Sequence, residues 1–114
     1  MPGNQFDADL KKLRAAAQGL PHVVESQTHG TPSLKLGKKL LARLREPGVI
    51  AIPVDSEADK FLLIEAGPEI YFTIPHFDGY AYVLARMEAI SDAELAHRLR
   101  LAWDRLATVT MKRA

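Results

Sequence analysis

With 114 residues, 47% of them apolar and 25% charged, the chain has the makeup of an ordinary soluble globular protein, and its length suits one domain across 1–114. The absence of cysteine excludes disulfides, thiolate nucleophiles and zinc–thiolate sites, and it suits a reducing, cytoplasmic setting. Net charge is only +1, and no apolar run is long enough to span a bilayer, so no membrane partner is expected.

Phe6, Leu10, Leu13, Ala17 and Leu20 repeat at helical spacing, with Asp7 and Asp9 suiting the positive end of a helix. The pattern predicts a helix over about 6–18, stopped by Gly19 and Pro21. Val23 to Thr28 reads as a strand, broken at Gly30-Thr31-Pro32. Leu34 and Leu36 alternate with Ser33 and Lys35, a half-buried strand. Gly37-Lys38 suits a two-residue type II′ turn. The next strand, Lys39 to Arg45, is expected to put Leu40, Ala42 and Leu44 on one face and Lys39, Leu41, Arg43 and Arg45 on the other. Glu46-Pro47-Gly48 turns the chain into a strand over 49–54.

Asp55 or Ser56 can cap the next helix, Ser56 resembling a capping box with Asp59, and Ala58, Phe61, Leu62 and Ala66 form its apolar side. Gly67-Pro68 ends it. Strands are expected over 70–74 and 82–89, with a loop from Pro75 to Gly79 between them. Ser91-Asp92-Ala93-Glu94 caps a last helix over 92–108, with Leu95, Leu99, Ala102, Trp103 and Leu106 on one side and a loose tail after it. The predicted order is α-β-β-β(-β)-α-β-β-α. Short hairpins demand antiparallel pairing, so the fold class is α+β, an antiparallel sheet with helices packed on one face.

Charge is segmented. Residues 35–45 hold Lys35, Lys38, Lys39, Arg43 and Arg45 with no acid between them. Residues 46–69 hold Glu46, Asp55, Glu57, Asp59, Glu65 and Glu69 against Lys60 alone. Residues 98–114 hold Arg98, Arg100, Arg105, Lys112 and Arg113 against Asp104. A basic two-stranded ribbon fits the major groove of duplex DNA, with its tip on phosphates. Lysines on a hairpin also serve to keep an edge strand from pairing with another chain.

Little else carries chemistry. The four histidines, 22, 29, 76 and 97, show no helical metal spacing, and no phosphate-binding glycine loop or nucleophile elbow is present, so no metal, cofactor or catalysis is expected. His29 and His76 stand beside turns, in HGTP and PHFDG. A pocket between their loops would gather His29, Thr31, His76, Tyr80 and Arg86 for a small molecule or a protein partner. The same spacing suits rings that only hydrogen-bond loop backbone.

The segments HGTPSLKLGKKLLARLREPG and IPHFDGYAYVLARM, in that order with a helix between them, resemble the MmcQ/YjbR family. The resemblance extends from the first helix to LRLAWDRLA in the last. It implies a CyaY-like fold and a double-wing DNA-binding domain. The first wing would be the Gly37-Lys38 hairpin; the second would be either the Glu46-Pro47-Gly48 hairpin or the Pro75 to Tyr82 loop. Two departures stand out. His29 occupies a position where tryptophan is common in that family, and Ala81 one where proline is common. The reading that results is a small bacterial DNA-binding protein without catalysis. The alternative is an interaction domain using the His29–His76 pocket.

Overall fold

The computed structural model describes residues 5–113. Helix α1 (Asp7–Ala17) leads into four consecutive strands: β1 (Val23–Thr28), β2 (Thr31–Leu36), β3 (Lys39–Glu46) and β4 (Val49–Pro53). Helix α2 (Glu57–Ala66), strand β5 (Tyr71–Phe72), a short 3-10 turn (Pro75–Phe77), strand β6 (Tyr82–Arg86), helix α3 (Asp92–Leu106) and helix α4 (Val109–Arg113) complete it. The six strands form one antiparallel sheet in the order β1-β2-β3-β4-β6-β5. The α+β class and the predicted order hold, with the optional fourth early strand present.

Turn chemistry sets the register. His29 and Gly30 both take positive φ, +53° and +78°, so Thr28 pairs with Thr31 across a two-residue turn of type I′ character. Thr31 and Pro32 are therefore strand, not a break. Pro32 lies beyond the ladder with β3, so its missing N–H costs no bond there. At the next turn Gly37 has φ +60° while Lys38 does not turn positive, the pattern of the expected II′ turn.

Ser56 and Ser91 cap α2 and α3, accepting from the amides of Asp59 and Glu94 at 3.1 Å and 3.0 Å. Helices α1 and α3 lie together over one sheet face, where Leu95, Leu99 and Trp103 of α3 share one core with Leu36, Leu44, Ile50 and Ile52 of the strands. Polar bonds fix α1 there. Lys12 Nζ donates to the carbonyls of Met87 and Ile90 (2.6 and 2.5 Å), and Asp9 accepts the Gly48 amide at 2.7 Å. The Trp103 indole N–H donates to the Pro21 carbonyl at 2.9 Å, so this ring is core.

Three further expectations fail for physical reasons. Strand β3 carries a bulge: Lys35 faces Leu40 and Leu34 faces Ala42, leaving Leu41 as the extra residue. The alternation flips there, so Leu41 is fully buried and Leu40 half-buried. The predicted apolar side of α2 is also inverted. Phe61 and Leu62 are more than half exposed, and the helix buries Lys60 completely. Finally, the tail through Arg113 is helical rather than loose, with Met111 packed on the core.

Candidate nucleic-acid interface

In an antiparallel meander successive turns lie at opposite ends of the sheet. Gly37-Lys38 is at one end, while His29-Gly30 and Pro47-Gly48 are at the other. A shallow cleft lined by Lys39, Pro53, Tyr82 and Leu106 shows what joins the Gly37-Lys38 end: the exit of β4, the entry of β6 and the end of α3. The Pro75 to Tyr82 loop is there as well, because it feeds β6.

Helix α4 seats against the hairpin tip. A methyl group on Gly37 would lie 3.8 Å from Met111 Cε. Lys112 and Arg113 thereby join Lys38 and Lys39, although more than 70 residues of chain separate the two basic segments.

The five bases of the first segment divide into three environments. Lys38 is exposed at the turn, and Lys35 is half-buried on the sheet face away from α1 and α3. Neither makes a side-chain hydrogen bond or ion pair among the described residues; the same is true of Lys112 and Arg113. Lys39 falls on the helix side of the sheet, where its Nζ donates to the Leu106 carbonyl at the end of α3 (3.2 Å). That carbonyl is one a helix leaves unpaired, so the lysine caps it.

Arg43 is occupied internally: its Nε donates to Thr31 Oγ1 (2.9 Å) and to the Thr28 carbonyl (3.1 Å). Desolvation, and then the charge of Arg45, lower its pKa from the ordinary arginine value. Arg45 approaches Glu46 at 3.3 Å and stacks over the Phe77 ring at 5.7 Å.

Phe77 stands between Arg45 and Tyr82, the latter at 6.1 Å. It lies on the sheet face where Ala51 and Leu84 are buried. The loop carrying Phe77 is held from below by Lys60, whose Nζ donates to the carbonyls of Phe77 and Tyr80 at 2.9 Å each. Glu57, 3.7 Å from that Nζ, accepts the Gly79 amide at 2.8 Å. The sequence reading missed Lys60. Its only signal was a lone base in an acidic segment, three residues after Glu57.

The histidine pocket does not assemble around one cleft. His29 and Thr31 belong to the β1–β2 hairpin at one edge of the sheet, while His76 and Tyr80 belong to the loop before β6 near the other. Neither described cleft is lined by His29, Thr31, His76, Tyr80 or Arg86. Thr31 accepts from Arg43, His76 meets the edge of Phe77 at 5.1 Å, and Arg86 stacks on Phe72 at 4.4 Å. No group of three or more histidines and acids among the described residues could hold a metal ion, and no described helix is long and apolar enough to cross a membrane.

No family model matches the chain. The crystal structure of the Deinococcus radiodurans protein DR2400, a DUF419 domain, is similar to it with a TM-score of 0.71 over 91% of this chain and 85% of that one. Identity there is 19%, so the likeness is one of fold. Mycobacterial proteins named Uncharacterized protein Rv2570 (Mycobacterium tuberculosis H37Rv) and Uncharacterized protein Mb2600 (Mycobacterium bovis) are 35% identical to it. Each match covers 75% of this chain and 78% of the relative. At that identity and coverage, the chain belongs to the family of these mycobacterial proteins.

Proposed function

We propose that the protein binds double-stranded DNA through phosphate contacts and catalyses no reaction, as a double-wing protein of the MmcQ/YjbR kind. The observation that supports this reading is the meeting of two distant basic segments at one end of the sheet. There Lys38, Lys112 and Arg113 are exposed and make no side-chain hydrogen bond or ion pair among the described residues. Unpaired cations on a narrow tip attract a polyanion, and each phosphate neutralised releases condensed counterions. Lys35 extends the same surface along the outer face of the hairpin. We take the Pro75 to Tyr82 loop as the second wing, because it shares the end of the sheet with Gly37-Lys38, whereas Glu46-Pro47-Gly48 lies opposite. Lys39, Arg43 and Arg45 contribute less in this reading, since internal partners hold them.

The test is fluorescence anisotropy on duplex DNA across a salt series. Four contacts give a log–log slope of about −3 to −4, at about −0.9 per phosphate. Lys38→Glu with Lys112→Glu weakens binding to all sequences alike and flattens the slope by about two. Circular dichroism confirms the fold, which survives because both side chains are exposed. Absence of binding by the unmodified protein at low salt refutes the reading, as does unchanged binding by the folded double variant.

A further inference from the structure

The larger of the two described clefts lies between α2 and α3 and has a volume of about 760 Å³. That is the size of a small-molecule site. Leu62 and Leu63 of α2 form one wall and Leu101 and Ala102 of α3 the other. Leu62 is 62% exposed and Leu101 45%. Helix α2 thus buries its lysine and turns leucine toward an open cleft, an arrangement that an apolar ligand would relieve.

The charges around the cleft select the head group. Toward the ends of the two helices, Asp55 is paired with Arg105 (3.1 Å) and Asp104 with Arg100 (3.4 Å). Arg98 stands two turns away along α3, about 10 Å at 1.5 Å per residue. Its Nε is 3.3 Å from Glu94 Oε2, but the contact is off the line of a hydrogen bond, and this buried N–H has no acceptor. Glu94 already accepts the hydroxyl proton of Tyr71. No other partner meets the Arg98 guanidinium among the described residues, and the side chain retains one-fifth of its exposure at the cleft wall. A guanidinium with unused N–H groups beside apolar walls matches a planar carboxylate. Asp59 lines the cleft without a cationic partner among the described residues and would repel a second anionic group.

We propose that this cleft binds an aliphatic monocarboxylate, with its head on Arg98 and its chain between Leu62 and Leu101. The cleft adjoins the Gly37-Lys38 end through Pro53, Val54, Asp55 and Arg105, but Lys35, Lys38, Lys112 and Arg113 do not line it, so the two readings stand or fall independently. Isothermal titration with sodium decanoate, below its micelle concentration, tests it. The expected result is saturable one-to-one binding, weakened about ten- to a hundredfold in Arg98→Gln, the worth of one charged hydrogen-bonded contact. Decanol, with the same chain and no charge, and decanedioate, with a second carboxylate, should both bind more weakly than decanoate. Leu101→Glu, at an exposed position that leaves Arg98 intact, should abolish binding; thermal melts confirm that each variant is folded. If Arg98→Gln does not fold, Leu101→Glu and the decanol comparison decide. The proposal is overturned if the unmodified protein shows no saturable binding, or if decanol binds as well as decanoate. It is equally overturned if a folded variant binds decanoate unchanged. A mass in solution that doubles, and reverts to one chain in Leu101→Glu, would assign the cleft to a second copy and likewise overturn it.

Discussion

Replacing Lys60 with methionine tests how the outer loop is held. The Nζ is fully buried and donates to the Phe77 and Tyr80 carbonyls, at 2.9 Å each. Methionine keeps most of the apolar stem but supplies no donor. Each bond from a charged donor contributes about 1.5–3 kcal/mol, and an abandoned buried carbonyl costs about 1–3 kcal/mol. Packing by the methionine returns part of this, so the net cost is about 3–5 kcal/mol, similar to stripping one partner from a buried charged contact. At about 3–5 °C per kcal/mol for a chain of this size, Tm falls by about 10–20 °C. Urea unfolding gives the free energy, and amide hydrogen exchange locates the loss. The amides of Asp78, Gly79 and Tyr80, bonded to Pro75, Glu57 and Phe77, should lose protection before the core strands do. Glu57→Gln keeps an acceptor for Gly79 at a part-exposed position, so it should cost less than about 1 kcal/mol. A Lys60→Met protein with the original urea midpoint and unchanged loop protection would refute the reasoning.

Three further outcomes can be measured on the same footing. Leu41→Ala should cost about 2–5 kcal/mol and Leu40→Ala about 1 kcal/mol, because the bulge buries the first and not the second; equal costs in urea unfolding would remove the bulge. Trp103→Ala should cost about 3–5 kcal/mol, since it empties a core position and frees the Pro21 carbonyl, and an unchanged Tm would sink the helix-on-sheet packing. Burial first, and then the bond to Glu94, push the Tyr71 phenol well above its ordinary range. The folded state holds that proton more tightly than the unfolded chain, so stability is intact below about pH 10 and is lost as pH climbs toward the folded value. In Tyr71→Phe the alkaline part of a urea-midpoint-against-pH profile should be flatter, and an unchanged slope counts against the assignment.

Much of the fold was legible because local chemistry and burial agreed. The β1 bounds, the Gly37-Lys38 turn, the two serine caps and the Leu95–Leu99–Trp103 stripe all follow from residue type and spacing, and each is observed. The misses arise where one inserted residue or one tertiary demand reverses a periodic pattern. A period-2 reading of Lys39 to Arg45 cannot detect that Leu41 has no partner in β2, and one extra residue exchanges the faces beyond it. On α2, hydrophobic spacing ranked Phe61 and Leu62 as inward. The neighbouring loop instead turns the Phe77 and Tyr80 carbonyls inward, the first already accepting from the Tyr80 amide, and Lys60 supplies a charged donor to both.

The candidate surface was legible as charge but not as geometry. Residues 35–45 read as one basic block, yet a strand sends alternate side chains to opposite faces, and a turn removes one to the end. Folding therefore breaks the block up: Lys39 caps α3, Arg43 braces the first hairpin, and Lys38 is left outside. It also builds what no local window contains, since α4 brings Lys112 and Arg113 to the same tip through Met111. A count of bases along the chain thus overstates the first segment and omits its partner. The cations without a partner among the described residues at one end of the sheet, rather than the sequence block, are what a phosphate backbone would meet in the proposed reading.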